Sequence, residues 1–394
     1  IVFDHMYNKG LAQEFVLTET ENSNWFEVQE GVATSNFSNS RKLYYREMIA
    51  RFGYLNCFYN IGEEANWSSG GDQYTAAQIE EAASYLQSLT PYNDLITVHN
   101  GPSSDFTIFP QLTALSGTSS LTAISLQGNF GNFSHGHNEL LTVKNLATAE
   151  GKKWVVRYTE PYASSLPNLE TWANNSLWAS ITAGGRGVHY YAAGLDVIGD
   201  NYTNYVTYYQ RMKIAKDFLY DNNVPFWEMA NNNGATSLGT MLSKTNSNHV
   251  IFLPSGGSSN VNFGASGTYT IKWFDPRNGG SIQDGSIPSI TADNTSKSIG
   301  NPPNSTTSSW VVYAVKESLS CESDFEEQNG IVVIEAESIP LVAGWSIGNT
   351  STGFTGDGYI VWNGGNFFST PGMGTIRTTI KINTPGTYLL QWRN

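Results

Sequence analysis

Cysteine is nearly missing from this 394-residue chain: two occur, Cys57 inside an apolar run and Cys321 in a polar stretch. Both read as unpaired, so no disulfide framework reports on the compartment. Charge is scarce as well, at 14% of residues, and its balance is acidic, with 21 Lys and Arg against 34 Asp and Glu for a formal net charge of −13. That balance argues against nucleic acid and anionic membrane surfaces as partners. No apolar run is long enough for a membrane span or a secretory h-region. No Gly-rich phosphate loop follows any strand candidate, and no G-x-S-x-G elbow occurs, which speaks against a nucleotide-binding open sheet and a serine hydrolase. An initiator Met is lacking too. The chain starts at Ile1 in what reads as mid-helix and stops in what reads as an unfinished hairpin, so it is expected to be a fragment, silent about a signal peptide.

What is present is aromatic and polar. Aromatics make up 13%, beside 38 Gly and abundant Asn and Ser, a surface suited to a neutral, stackable partner such as sugar. Between residues 14 and 224, strand candidates at 14–21, 55–62, 95–100, 121–128, 153–160 and 187–194 alternate with helix candidates at 41–53, 75–90, 137–151, 169–185 and 204–222. Such alternation means βα units around a parallel sheet. The predicted class is α/β, a (β/α)8 TIM barrel with its first strands missing (1–225); a doubly wound open sheet is the alternative. β-sandwich domains follow: all-β patterning over 226–317, an acidic linker over 318–330, and a second, truncated sandwich over 331–394.

In a barrel the active residues sit at the C-terminal ends of strands. Strand parity groups Phe58, Asn60, Gly62 and Glu64 on one face, and Trp154, Val156, Tyr158 and Glu160 on another. Two glutamates at the ends of different strands are what glycoside hydrolysis needs: one protonated to serve the leaving oxygen, one ionised to attack the anomeric carbon or activate water. Glu64 and Glu160 are the expected pair, with Glu63 as a neighbour. The bland alternative is that all three are loop carboxylates capping helices or pairing with Arg. Trp67 and Tyr158 would stack sugar and desolvate a carboxyl. Glu19, Glu21, Asn60, His99, Gln127 and His137 are candidate contacts to hydroxyls, each equally readable as an ordinary polar residue. His135 and His137 form an H-x-H with no third ligand in register, too little for a metal site. Eight N-x-S/T sequons occur, as chance allows in an Asn- and Ser-rich chain; a glycan on Asn66 would block the expected site.

Several motifs together, "FDHMYNKG…FVLTETEN", "NIGEEANW", "KKWVVRYTEP", "WANNSLWASITAGGRGVHYY" and "FLYDNNVPFWEM", resemble a group of (β/α)8 glycosidase-like proteins of bacterial polysaccharide degraders. That group is related to apiosidase-type glycoside hydrolases and more distantly to the retaining clan A enzymes. The resemblance covers residues 1–230 and implies an acid/base at Glu64 and a nucleophile at Glu160. Glu63 stands where clan A enzymes keep an Asn, which leaves the choice between Glu63 and Glu64 open. The 226–316 segment resembles a collagen-binding-type domain through "WFDPRNGG", and packing against the barrel is its implied role. Residues 331–394 resemble a family-six-type carbohydrate-binding module, whose pattern implies a structural calcium near Glu335 and Glu337 and sugar platforms at Trp345, Tyr359 and Trp362.

The expectation is therefore a secreted, periplasmic or cell-surface glycoside hydrolase acting on a plant or algal polysaccharide, with no catalytic cofactor, no nucleic acid partner and no membrane span. A non-catalytic carbohydrate-binding scaffold or a matrix adhesin is the alternative.

Overall fold

The computed structural model describes residues 2–19, 25–32, 37–66, 74–101, 108–114, 120–128, 133–159, 169–189, 206–317, 325–365 and 374–391. They fall into two compact units, Ile1–Lys316 and Glu317–Asn394. In the first unit six short parallel strands follow one another: β1 (Gln13–Val16), β2 (Cys57–Asn60), β3 (Ile96–Thr97), β4 (Ala123–Gln127), β5 (Val155–Thr159) and β6 (Val188–His189). The ladders β1-β2-β3 and β4-β5-β6 are joined by the parallel bridge His99↔Ser125. Ser125 N also donates to Val98 O at 3.0 Å and Thr122 N to Ile96 O at 3.1 Å. The result is one sheet of six strands in sequence order.

Helices lie before and between them: α1 (Val2–Asn8), α2 (Trp25–Glu30), α3 (Asn39–Phe52), α4 (Ala76–Leu89), α5 (Ile108–Ala114), α6 (Phe133–Ala149), α7 (Leu169–Thr182) and α8 (Val206–Asp221). Local chemistry sets their starts. Ser38 caps α3 by accepting from Arg41 N. Thr75 and Gln78 form a reciprocal capping box that opens α4, each satisfying an N–H that a helix start leaves unpaired.

Side-chain alternation divides the sheet. Phe15, Tyr59, Ile96, Val98, Ile124, Leu126, Val156 and Tyr158 join the apolar core under the helices. Glu14, Phe58, Asn60, Thr97, Ser125 and Arg157 have the opposite parity and line the concave side. There the Arg157 guanidinium forms an ion pair with Glu14 and lies 4.8 Å from the Phe58 ring centre. In a flat sheet β1 and β5 would stand about 19 Å apart, four strand spacings of about 4.8 Å each. A direct ion pair between them requires the sheet to curl, and six strands curled with helices outside form most of a (β/α) barrel.

Past α8 the chain builds an antiparallel six-stranded sheet from β7 (Ala230–Asn231), β8 (Thr240–Lys244), β9 (Asn248–Leu253), β11 (Gly267–Phe274), β12 (Ser289–Ala292) and β14 (Trp310–Lys316), in the order β12-β11-β14-β9-β8-β7. A two-stranded ladder, β10 (Asn260–Val261) with β13 (Lys297–Ser298), accompanies it. Period-two alternation gives this sheet two apolar faces. Ile251, Leu253, Trp310, Val312 and Ala314 form a core of their own with Val261 and Ile299. Val250, Phe252, Val311 and Tyr313 belong to the barrel's core. Phe252 stacks on Trp178 of α7 at 5.7 Å between ring centres, and Phe274 meets Phe218 of α8 at 4.6 Å. The expected boundary at residue 226 is thus a change of architecture inside one packed unit. No helix among the described residues is long and apolar enough to cross a membrane.

The second unit holds the parallel pair β15 (Phe325–Glu326) with β18 (Ile380–Lys381), and the antiparallel pair β16 (Trp345–Gly348) with β17 (Tyr359–Trp362). Its core is small. Ile339 is its one buried hydrophobic residue among those described.

Candidate functional site

β2 ends at Asn60, and residues 63–66 form a turn at the C-terminal rim of the curled sheet. Backbone bonds seat the turn between its neighbours: Glu63 N donates to Thr18 O at 3.0 Å and Ala65 N to His99 O at 2.9 Å. Within it Glu64 has φ +47°, the left-handed region. The other non-glycine residues with positive φ among those described are all Asn, whose short amide tolerates that conformation. For Glu it costs on the order of 1 kcal/mol. Such strained backbone persists only where the surrounding structure over-determines it. Its Oε1 accepts from Gln127 Nε2 at 3.1 Å, and Gln127 is the last residue of β4. Glu64 therefore reaches the mouth through its turn, after strand parity has lapsed. Glu63 is half-buried beside it.

Below this rim lies a polar layer. Asn60 is buried; its Nδ2 donates to Glu14 Oε1 at 3.0 Å, and its Oδ1 accepts from Gly62 N. Arg157 Nε donates to Ser125 Oγ at 3.0 Å, and Ser125 Oγ meets Thr97 Oγ1 at 3.2 Å. His99 is buried at the top of β3; burial, with Arg157 and His189 adding repulsion, pushes its pKa down to about 3. The ring is neutral at ordinary pH. Its Nε2, like Thr159 Oγ1 on β5, is a buried polar atom with no hydrogen-bond partner among the described residues. Such atoms cost about 1–3 kcal/mol unless a ligand or water meets them. Both have inward parity, so they are free to meet a hydroxyl brought into the mouth. Burial first, then Arg157, lowers the pKa of His189 at the end of β6, with Glu14 opposing.

Two expected contacts are elsewhere. Tyr158 does not face the mouth: it is buried in the helix layer, its hydroxyl donating to Glu139 Oε2 of α6 at 2.6 Å. The inward residues of β5 are Val155, Arg157 and Thr159, so the parity that grouped Glu160 with Tyr158 gives no inward direction to Glu160. The error was one of register, since the apolar Val156 and Tyr158 belong under helices and the charged Arg157 belongs inside. His137 is likewise buried in α6, with Nδ1 donating to Ala179 O at 3.0 Å and Nε2 accepting from Asn233 Nδ2 at 2.8 Å. It joins the barrel helices to the antiparallel sheet. Glu19 is exposed just past β1. Glu21, Trp67 and Glu160 lie outside the described residues.

No protein-family model matches the sequence, and no curated protein matches it. Among solved structures the chain is similar to a glycoside hydrolase family 30 subfamily 8 xylanase, Xyn30A, from Clostridium acetobutylicum, with TM-score 0.47, 12% identity, and coverage of 80% of this chain and 82% of that one. It is also similar to N2152 from Neocallimastix frontalis (TM-score 0.39, 11% identity, 80% and 84% covered). A third is AbfB, a family 51 alpha-L-arabinofuranosidase from Bifidobacterium longum (TM-score 0.37, 9% identity, 80% and 78% covered). Likenesses at these scores carry no functional weight.

In the second unit Glu335 Oε2 accepts from Thr355 Oγ1 at 3.0 Å and Glu337 Oε1 from Asp357 N at 3.1 Å. Both carboxylates are committed to the 355–357 turn. Among the described residues no group of three or more His, Cys, Asp or Glu could hold a metal ion. Trp345 and Trp362 pack at 5.3 Å between ring centres, and Trp345 Nε1 donates to Gly374 O at 2.6 Å. Both rings, with Tyr359, are half-buried.

Sequence reading passed over Glu14, Arg157, Asn66 and Asn100. The first two carried a signal, an acid and a base inside otherwise apolar strand runs, where charges are rare unless paired. Asn66 was weighed only as a sequon; it is buried and accepts from Gly101 N at 2.6 Å.

Proposed function

We propose that this chain is a glycoside hydrolase acting on a neutral polysaccharide at the C-terminal mouth of the barrel, with Glu64 as the carboxyl that protonates the leaving oxygen and Glu160 as its ionised partner. The observation that carries the reading is Glu64 itself, a carboxyl in a left-handed turn at a strand end, held by Gln127 from the next-but-one strand. That bond fixes the direction of the Glu64 carboxyl at the mouth. Support for Glu160 comes from its place in the sequence directly after the end of β5, and from the "YTEP" resemblance. His99 Nε2 and Thr159 Oγ1 offer hydrogen bonds to sugar hydroxyls, and low overall charge suits an uncharged polymer. Hydrolysis follows if Glu64 gives its proton to the glycosidic oxygen while Glu160 attacks the anomeric carbon; the glycosyl ester then breaks by water that Glu64 deprotonates. Retention would require the two carboxyl groups about 5 Å apart, inversion roughly 6.5–9.5 Å.

The test is a panel of plant and algal polysaccharides incubated with the protein and with its Glu64→Gln and Glu160→Gln variants. Each substitution is expected to lower kcat by about 10²–10⁴-fold. Binding of a polysaccharide with no turnover by the parent would favour a non-catalytic scaffold. Turnover that survives Glu64→Gln would remove the proposed acid.

A further inference from the structure

Asn100, directly after His99 at the top of β3, is fully buried. Its Oδ1 accepts from Gln127 N at 2.7 Å, while its Nδ2 donates to Gln127 O at 2.8 Å and to Gly101 O at 2.8 Å. The amide orientation is unambiguous, because one side faces an N–H and the other two carbonyls. Asn100 thus pairs with both peptide groups of Gln127 as a strand partner would, at a point where the β3–β4 ladder has run out. Gln127 Nε2 in turn reaches Glu64 Oε1. The connection also closes from the other side. Gly101 N donates to the buried Asn66 Oδ1, two residues past Glu64, and Ala65 N donates to His99 O. Hydrogen bonds, with the short run of backbone from Glu64 to Asn66, therefore link Glu64, Asn66, Gly101, Asn100 and Gln127 in a closed ring across the ends of three strands.

We infer that Asn100 is a positioning residue for the acid: by clamping the backbone of Gln127 it aims the Gln127 amide at Glu64 and so sets both the direction and the ionisation of that carboxyl. The inference rests on the proposed role of Glu64, but its physical content does not depend on any sugar being cleaved. A neutral N–H donor stabilises the carboxylate over the acid. Loss of the donor, or of the clamp that aims it, should make Glu64 hold its proton to higher pH. Removing Asn100 also takes a partner from the buried N–H and C=O of Gln127, so a loss of stability alone would not distinguish positioning from packing.

The experiment follows the Glu64 carboxyl directly, by NMR titration of protein labelled with ¹³C at glutamate carboxyl carbons, the signal assigned by its disappearance in Glu64→Gln. Gln127→Met removes the donor with little change in shape and leaves the backbone pairing intact. Asn100→Ala removes the clamp, with Asn100→Ser as the gentler form should alanine fail to fold. In both Gln127→Met and the Asn100 variant the Glu64 midpoint is expected to rise by about one pH unit. In the Gln127→Met background the Asn100 substitution should add nothing further. If a substrate has been found, the alkaline limb of kcat/KM rises in parallel. A Glu64 midpoint that stays put in the folded Asn100 variant, or one that shifts equally with Gln127 already gone, would overturn the inference. A parent inactive on every polysaccharide would sink the hydrolase reading and leave this titration still decisive for Asn100.

Discussion

Glu64 illustrates a conflict between stability and function on a single residue. Its φ of +47° is a conformation glycine adopts without cost and alanine does not. Glu64→Gly should therefore be more stable than Glu64→Ala by about 1 kcal/mol, measured by urea unfolding, while both lose the proposed activity. A comparable stability for the two would mean that the turn relaxes when the carboxyl is removed. Gly128, one residue past Gln127, makes the opposite point. A Cβ there would lie 2.1 Å from Glu139 Oε2 and 2.4 Å from the Tyr158 hydroxyl, inside the hydrogen bond those two groups make. Gly128→Ala should cost about 1–3 kcal/mol by forcing that buried pair apart, and near-neutrality in the same assay would show that the pair can shift. Sequence parity pointed to Glu64 although the strand had already ended; the turn, not the strand, sets the direction of its carboxyl. It misjudged Tyr158 because a tyrosine beside a candidate catalytic residue suits a sugar platform and a buried helix-facing position equally well.

At the scale of elements, two ion pairs, one half-buried and one buried, tie the barrel together. Glu14 on β1 and Arg157 on β5 meet across the interior. Breaking the pair from one side leaves a charge with little access to water, so Arg157→Met should cost about 3 kcal/mol, and Glu14→Leu added to it should restore a large part of that loss. If the double variant were no better than Arg157→Met alone, the pair would not be the reason. The second pair, Arg41 of α3 with Glu27 of α2, is closed at 2.5 Å between side chains only 3% and 2% exposed. Arg41 Nη1 donates onward to the Tyr74 hydroxyl at 2.7 Å, and Thr18 Oγ1 lies 3.1 Å from that hydroxyl while donating to Ile61 O at 2.7 Å. The helix layer is thereby anchored to the residues directly before the Glu63–Glu64 turn. The strand and helix positions from β1 to α8 were legible because period-two apolar runs and capping residues are local signals. The partners of Glu14, Arg157, Glu27 and Arg41 were not, since 143 residues of chain separate the first pair and only the curl of the sheet brings it together.

For the whole molecule the histidines set an acid limit. The unfolded chain protonates each near pH 6.5, whereas burial keeps His99 neutral to about pH 3 and His249 to about pH 4, with His137 lowered in the same direction. Below pH 6.5 the unfolded state binds more protons than the native one, so stability should fall as pH falls and keep falling to about pH 3. Glu27 adds to this from about pH 4.5 downward. Burial raises its pKa, but the hydrogen bonds and charge of Arg41 outweigh that and leave it below the usual value of 4.5. Urea midpoints measured from pH 8 to pH 4 check the sign; a flat profile would mean that these rings are not buried neutral. A chain ending at Lys316 should also keep the main thermal transition of the full protein, because Ile1–Lys316 is a compact unit with its own cores and Glu317–Asn394 is another. A large loss of melting temperature on that truncation would contradict it.

By itself the sequence determined the class of the fold, the order of its elements, and the residue most worth watching, because hydrophobic period, capping chemistry and a glycine before two glutamates act over a few residues. Only the tertiary structure decided which side each strand presents, that the all-β segment shares the barrel's core, and that Asn66, Asn100 and Gln127 close a ring around Glu64. Those outcomes depend on the curl of a sheet and on polar atoms that must find partners once water is gone, and no local window of sequence contains either.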